Sequence, residues 1–182
     1  MNRRDFLRRA CLAALTTRIP TRSPAAAAQE PPRGRVLDAH QWRTIATVQD
    51  HLLPAEPGAP GSSDIHATAY LDGVLADPEL DPEVRSLILN GIGWLDELAQ
   101  EGHGRPFADL GPEPREELLR GIVDRPTGDL WLSTLIDYSL EALLGDPLYG
   151  GNPGGIGWAW LEHNPGLPRP TPANLYGRLG KA

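Results

Sequence analysis

The chain has 182 residues, with 17 basic against 24 acidic side chains and a net charge of −7. That length holds one domain with a real core rather than two large ones, and 20 glycines with 19 prolines fall short of a disordered composition and point to long structured loops. An acidic surface repels nucleic acid and anionic lipid, so nucleic-acid partners are excluded.

The chain opens with Arg3-Arg4 followed by Asp5-Phe6-Leu7-Arg8. This resembles the twin-arginine export signal, whose usual form is Ser or Thr, two arginines, any residue, Phe-Leu, then Lys; here Asn2 and Arg8 take the outer places. The weakly apolar stretch from Ala10 to Thr17, broken by Arg18, is far below the ~20 residues that span a bilayer. Ala26-Ala27-Ala28 offers a small-residue cleavage site. Residues 1–28 therefore read as a twin-arginine signal peptide, with Arg3, Arg4, Phe6 and Leu7 read by the twin-arginine translocase, and the expected location is the periplasm. The competing reading is a basic N-terminus with no export role. The segment carries six arginines against Asp5, so its removal takes the net charge from −7 to −12. The only cysteine, Cys11, lies within it. The mature chain then has no disulfide, no thiol nucleophile, no Cys-ligated metal and no c-type haem attachment motif.

Residues 29–36 read as a linker, and residues 37–182 as the domain. Asp38 and Gln41 form a capping-box pair, and Trp42, Ile45, Val48 and Leu52 then step by three and four along one face. Pro54 ends that helix, and Pro57-Gly58-Ala59-Pro60-Gly61 makes a turn. Ser62, Ser63 or Asp64 is expected to cap a second helix with Ile65, Thr68, Leu71 and Leu75 on one side. Asp81-Pro82 opens a third, with Pro at the first helical position, and Val84, Leu87, Ile88, Gly91, Trp94 or Leu95, and Leu98 form its stripe up to Gly102 and Gly104. Phe107 to Leu110 is a short anchor. A fourth helix follows Pro112. A fifth is expected from Asp129 to Gly145, apolar on more than one side and hence central. No regular element is predicted beyond about residue 145, and no stretch alternates with period two. The fold class is all-α: a small bundle of about five helices with a long Gly/Pro-rich C-terminal loop segment.

No catalytic or metal constellation stands out. A phosphate cradle needs N–H groups at a helix start, usually with a lysine, whereas the glycines from Gly150 to Gly155 follow a helix and have no lysine among them. His40, His51, His66, His103 and His163 share no metal-ligand spacing; Asp50-His51 and Asp64-Ile65-His66 read as solvated surface before they read as ligands. Asp137 is a capping or interface carboxylate before it is a general base, and Ser133 and Ser139 lack the glycines of a nucleophile elbow. Trp42, Trp94 and Trp131 are expected in the core. Trp158 and Trp160 lie in the glycine-rich tail, where aromatic anchors serve recognition and glycines allow turns and close approach. Tyr149, Gly150, Gly151, Asn152, Trp158 and Trp160 are therefore the candidate partner-binding residues, and folding of the loop back onto its own helices is the compatible alternative.

Asp146-Pro147-Leu148-Tyr149-Gly150-Gly151-Asn152, followed by Gly157-Trp158, resembles the signature of the gluconate 2-dehydrogenase subunit 3 family. Leu52-Leu53-Pro54 before a Pro-Gly-Ala turn, and Phe107 to Leu110 before a Leu-rich helix, extend the likeness over about residues 38–165. Two features depart from the pattern: the acidic residue after the first proline is displaced to Glu56, and the segment after Asn164 is rich in proline. The resemblance implies a small, gamma-type accessory subunit that holds no cofactor. Its implied partner is a large FAD-dependent dehydrogenase of sugars, sugar acids or alcohols, and a cytochrome c subunit carrying haem c often completes such complexes at the membrane. A stand-alone periplasmic enzyme and an unrelated periplasmic binding or scaffold protein are the competing functions.

Overall fold

The computed structural model describes residues 34–174. The export-signal residues Arg3, Arg4, Phe6 and Leu7 lie outside the described residues, as do the cleavage site and most of the linker.

Among the described residues there are six α-helices and no strand. Helix α1 (Ala39–Leu52) starts with the expected reciprocal box: Gln41 N–H donates to the Asp38 side chain, and Asp38 N–H donates to Gln41 Oε1. Its buried face is Thr44, Ile45, Val48 and Gln49. Helix α2 (Ala67–Leu75) begins later than the cap residues suggest. The three polar groups are spent elsewhere or left outside: Ser62 hydroxyl donates to Asp50, Asp64 accepts from Gly61 N–H, and Ser63 is exposed. The chain enters α2 through His66 in a left-handed conformation at φ 57°.

Asp72 of α2 is a buried carboxylate that the sequence reading missed. It accepts N–H groups from Arg35, Val36 and Leu37 at 2.6, 3.0 and 2.9 Å. The segment read as the end of a linker is thus pinned to the bundle from Arg35 onward, since a carboxylate taking three backbone donors holds its partner strand tightly.

Helix α3 (Pro82–His103) runs from the Asp81 cap to Gly104 at φ 66°, which supplies the left-handed stop. Leu95 is its core residue at this level, while Trp94 is 44 % exposed, so the expectation of a core Trp94 is corrected. Successive residues stand 100° apart on a helix, and only one of the two can face inward. Trp42 packs against the core only partly buried, and Trp131 is buried as expected. The Trp131 ring lies on Gly91, where a Cβ would come within 2.1 Å of its Nε1, and Nε1–H donates to the Ile88 carbonyl at 3.2 Å. A short 3-10 turn at Phe107–Asp109 anchors Phe107 in the core before helix α4 (Pro112–Val123).

Helix α5 (Pro126–Leu144) starts three residues before Asp129, with Pro126 in the first turn and no side-chain cap. It packs on α1, α2, α3 and α4 and is central as expected. Its buried side carries Trp131, Leu132, Leu135, Ser139, Ala142 and Leu143. Ser139 joins α1 and α2 through a buried chain: Thr68 hydroxyl donates to Gln49 Oε1, and Gln49 Nε2 donates to Ser139 Oγ. The opposite side of α5 leaves Leu130, Ile136, Leu140 and Leu144 exposed.

The tail is more regular than the sequence suggests. Two 3-10 turns, Pro147–Tyr149 and Pro153–Gly155, lead into a short helix α6 (Ile156–Trp160). So short a glycine-bearing helix has too few residues to stand alone, and contacts with α5 hold it in place.

Candidate functional site: the C-terminal end of α5

A helix ends with carbonyls that lack intrahelical donors. Gly145 leaves α5 in an extended conformation, at φ −65° and ψ 163°, rather than turning back over the helix end. The open carbonyls are instead met from downstream. Trp158 Nε1–H donates to the Leu144 carbonyl at 2.7 Å, and Asn152 Nδ2 donates to the Gly145 carbonyl at 3.0 Å. Asn152 is wholly buried at φ 48°; its N–H reaches the Ile65 carbonyl at 3.0 Å and its Oδ1 accepts Gly157 N–H at 2.7 Å. Asn152 thereby ties the end of α5 to the start of α6 through its side chain, and holds the entry to α2 through its backbone N–H.

Two glycines make that approach possible. A Cβ on Gly151 would stand 2.6 Å from the Ala142 carbonyl oxygen, and one on Gly157 would stand 2.1 Å from that of Leu143. Both contacts are to backbone of α5, which cannot swing aside. The N–H groups of Gly150, Gly155 and Gly157 donate within the loop, so they are turned away from any phosphate.

Charge closes the cap from outside. Arg169 Nε sits 2.9 Å from Asp146 Oδ2, and its guanidinium lies 4.9 Å from the Trp158 ring centroid, a cation–π arrangement. The hydrogen bond from Arg169, with help from Leu148 N–H, holds the Asp146 carboxyl below its ordinary value.

The candidate residues divide by this geometry. Gly151, Asn152 and Trp158 are buried inside the cap. Gly150 is exposed at φ 102°, and Tyr149 and Trp160 are each 43 % exposed. The last turns of α5 and the segment that follows carry further exposed apolar side chains that the sequence reading did not single out as partner-binding: Leu140, Leu144, Leu148, Ile156 and Leu161. The available signal for the first pair was their four-residue spacing on α5, which puts them on one face. Beside them a shallow groove of about 570 Å³ is lined by Tyr70, Asp137, Leu140, Glu141, Leu144 and Gly145. Tyr70 hydroxyl donates to Glu141 at 2.9 Å; burial first, and then this bond, push the phenol well above its ordinary value. A phenol that stays protonated and a carboxylate that accepts from it form a fixed pair rather than an acid–base couple near neutrality.

The remaining titratable groups are dispersed. His40 pairs with Asp96 at 2.8 Å, and His51 with Glu116 at 2.5 Å. Asp50 is engaged by Ser62, His66 and His103 are exposed, and His163 lies 6.4 Å from the Trp158 ring. Ser133 and Ser139 donate to carbonyls of their own helix. Among the described residues no three His, Cys, Asp or Glu side chains are grouped to hold a metal.

The family model of gluconate 2-dehydrogenase subunit 3 matches residues 39–166, most of the chain and all of the cap up to α6. The chain belongs to this family. No curated protein and no solved structure matches it. The matched region thus includes the segment from Asp146 to Trp158, which closes the end of α5 and leaves Tyr149 exposed, with Trp160 exposed just beyond it.

Proposed function

We propose that this chain is the non-catalytic small subunit of a periplasmic FAD-dependent dehydrogenase acting on gluconate, other sugars or alcohols, needed for assembly, stability and export of the flavoprotein. The observation that carries the reading is the run of exposed apolar side chains on the last turns of α5 and the segment that caps it: Leu140, Leu144, Leu148, Tyr149, Ile156, Trp160 and Leu161. Exposed apolar groups gathered on one face mark an interaction site, and aromatic anchors are the commonest hot spots within one. The flavin belongs to the large partner, and haem c to a cytochrome subunit where one is present.

Export fits the same scheme. Twin-arginine translocation carries folded cargo, and a leader on a subunit without its own cofactor would serve a flavoprotein that is loaded before export. The test is a pull-down of the C-terminally tagged protein from the periplasm of its native host, followed by an absorption spectrum. A larger chain with flavin bands is the expected result; a colourless single chain under conditions that retain other periplasmic complexes would refute the reading. Deleting residues 1–28 should leave the flavoprotein in the cytoplasm, and its continued export would refute the export role.

A further inference from the structure

A second concave site lies at the other end of α5. Gly91, Trp94, Leu95 and Leu98 of α3 face Ile122 of α4 and the α5 start across a cleft of about 290 Å³. Pockets of this kind between helices, mostly apolar with few polar groups, are the common form of small-ligand sites. The cleft is about 25 Å along α5 from the Tyr149 surface, at 1.5 Å per residue, so it is no part of that surface.

Its chemistry is selective. Trp94 stands half open at the mouth, 44 % exposed. The only charged side chain in the lining is Arg125, and no carboxylate lines the cleft. Asp124 and Asp129 flank Arg125 in sequence, yet neither pairs with it, and Arg125 makes no ion pair among the described residues. On a chain of net charge −7, a cation without an ion-pair partner among the described residues, set beside an apolar recess, favours an anion there. A guanidinium beside a half-buried wall binds a carboxylate by charge-assisted hydrogen bonds, while an indole face and aliphatic side chains take an apolar body.

We propose that this cleft binds a small apolar carboxylate, with a ring-sized hydrophobic body against Trp94, Leu98 and Ile122 and its carboxylate on Arg125. The test is calorimetric titration of the full-length protein with 4-phenylbutyrate and, in parallel, its uncharged amide. The acid is expected to bind saturably at one site, about tenfold tighter than the amide or more, a ratio equivalent to ~1.4 kcal/mol. Arg125→Gln should remove that preference and leave the weak binding of the amide in place; Trp94→Ala should weaken both. Equal affinity for acid and amide, or a preference that survives Arg125→Gln, overturns the proposal. A cleft that serves a protein partner instead would reveal itself if the flavoprotein expelled the bound acid and Trp94→Ala loosened that complex, and this too would overturn it.

Discussion

Replacing Asn152 by Ala tests the account of the cap. The change leaves the Gly145 carbonyl and the Gly157 N–H without their side-chain partners in a region where Asn152 itself is wholly buried. Each orphaned buried group costs about 1–3 kcal/mol. Alanine also fits a left-handed φ of 48° less well than asparagine, at a cost of up to about 1 kcal/mol. The expected loss is therefore about 2–7 kcal/mol, a large part of the roughly 5–15 kcal/mol that holds a domain together. Urea denaturation followed by Trp fluorescence measures it. Asn152→Gly separates the contributions, because glycine accepts the backbone angle and loses only the hydrogen bonds. A loss below about 1 kcal/mol for Asn152→Ala, with an unchanged slope against urea, would refute the argument that the Asn152 side-chain amide joins α5 to α6.

The exposed aromatic residues of the tail should behave in the opposite way. Tyr149→Ala and Trp160→Ala are expected to shift stability by no more than about 0.5 kcal/mol, while weakening the complex with the flavoprotein about tenfold or more, as read by surface-immobilised binding. Trp158→Ala should unfold the isolated chain more readily, since it opens the Leu144 carbonyl, and intact stability in that variant would contradict its place in the cap. Asp72→Ala should release residues 35–37, with a loss of about 2–4 kcal/mol and rapid hydrogen exchange at those amides. The Asp146 carboxyl is held below its ordinary 3.8, so its pairing with Arg169 contributes stability above that value, and the contribution is lost as pH falls through the lowered value. Arg169→Gln should therefore flatten the acid limb of the stability profile below about pH 4 and leave its shape near neutrality unchanged.

What the sequence made legible was local. The Asp38–Gln41 box, the Asp81-Pro82 start and the Gly104 stop each depend on residues within one turn of one another, and each forms as read. The misplaced start of α2 arose because Ser62 and Asp64 had partners outside the helix, which a cap preference does not reveal. Trp94 and Leu95 were indistinguishable by spacing, and the packing of α3 on α5 chose between them. Most of all, the signature read as one recognition loop divides into buried and exposed residues. Asn152 is fixed by Ile65 and Gly145, and Gly157 by the backbone of α5; these pairings are distant along the chain and leave no periodic trace. The exposed Leu140 and Leu144 are written in the helix period, but on a helix apolar on more than one side that period does not say which side stays uncovered.

The closing of α5 by residues that follow it has a consequence for synthesis. The residues of the helix are joined before Asn152 and Trp158 are added, and Arg169 follows later still. Until then its last carbonyls have only water for partners, and the entry to α2 waits for the Asn152 N–H. A nascent chain thus closes this end of the bundle only after residues 152–158 have been added, when Tyr149 is also set in place to receive a partner.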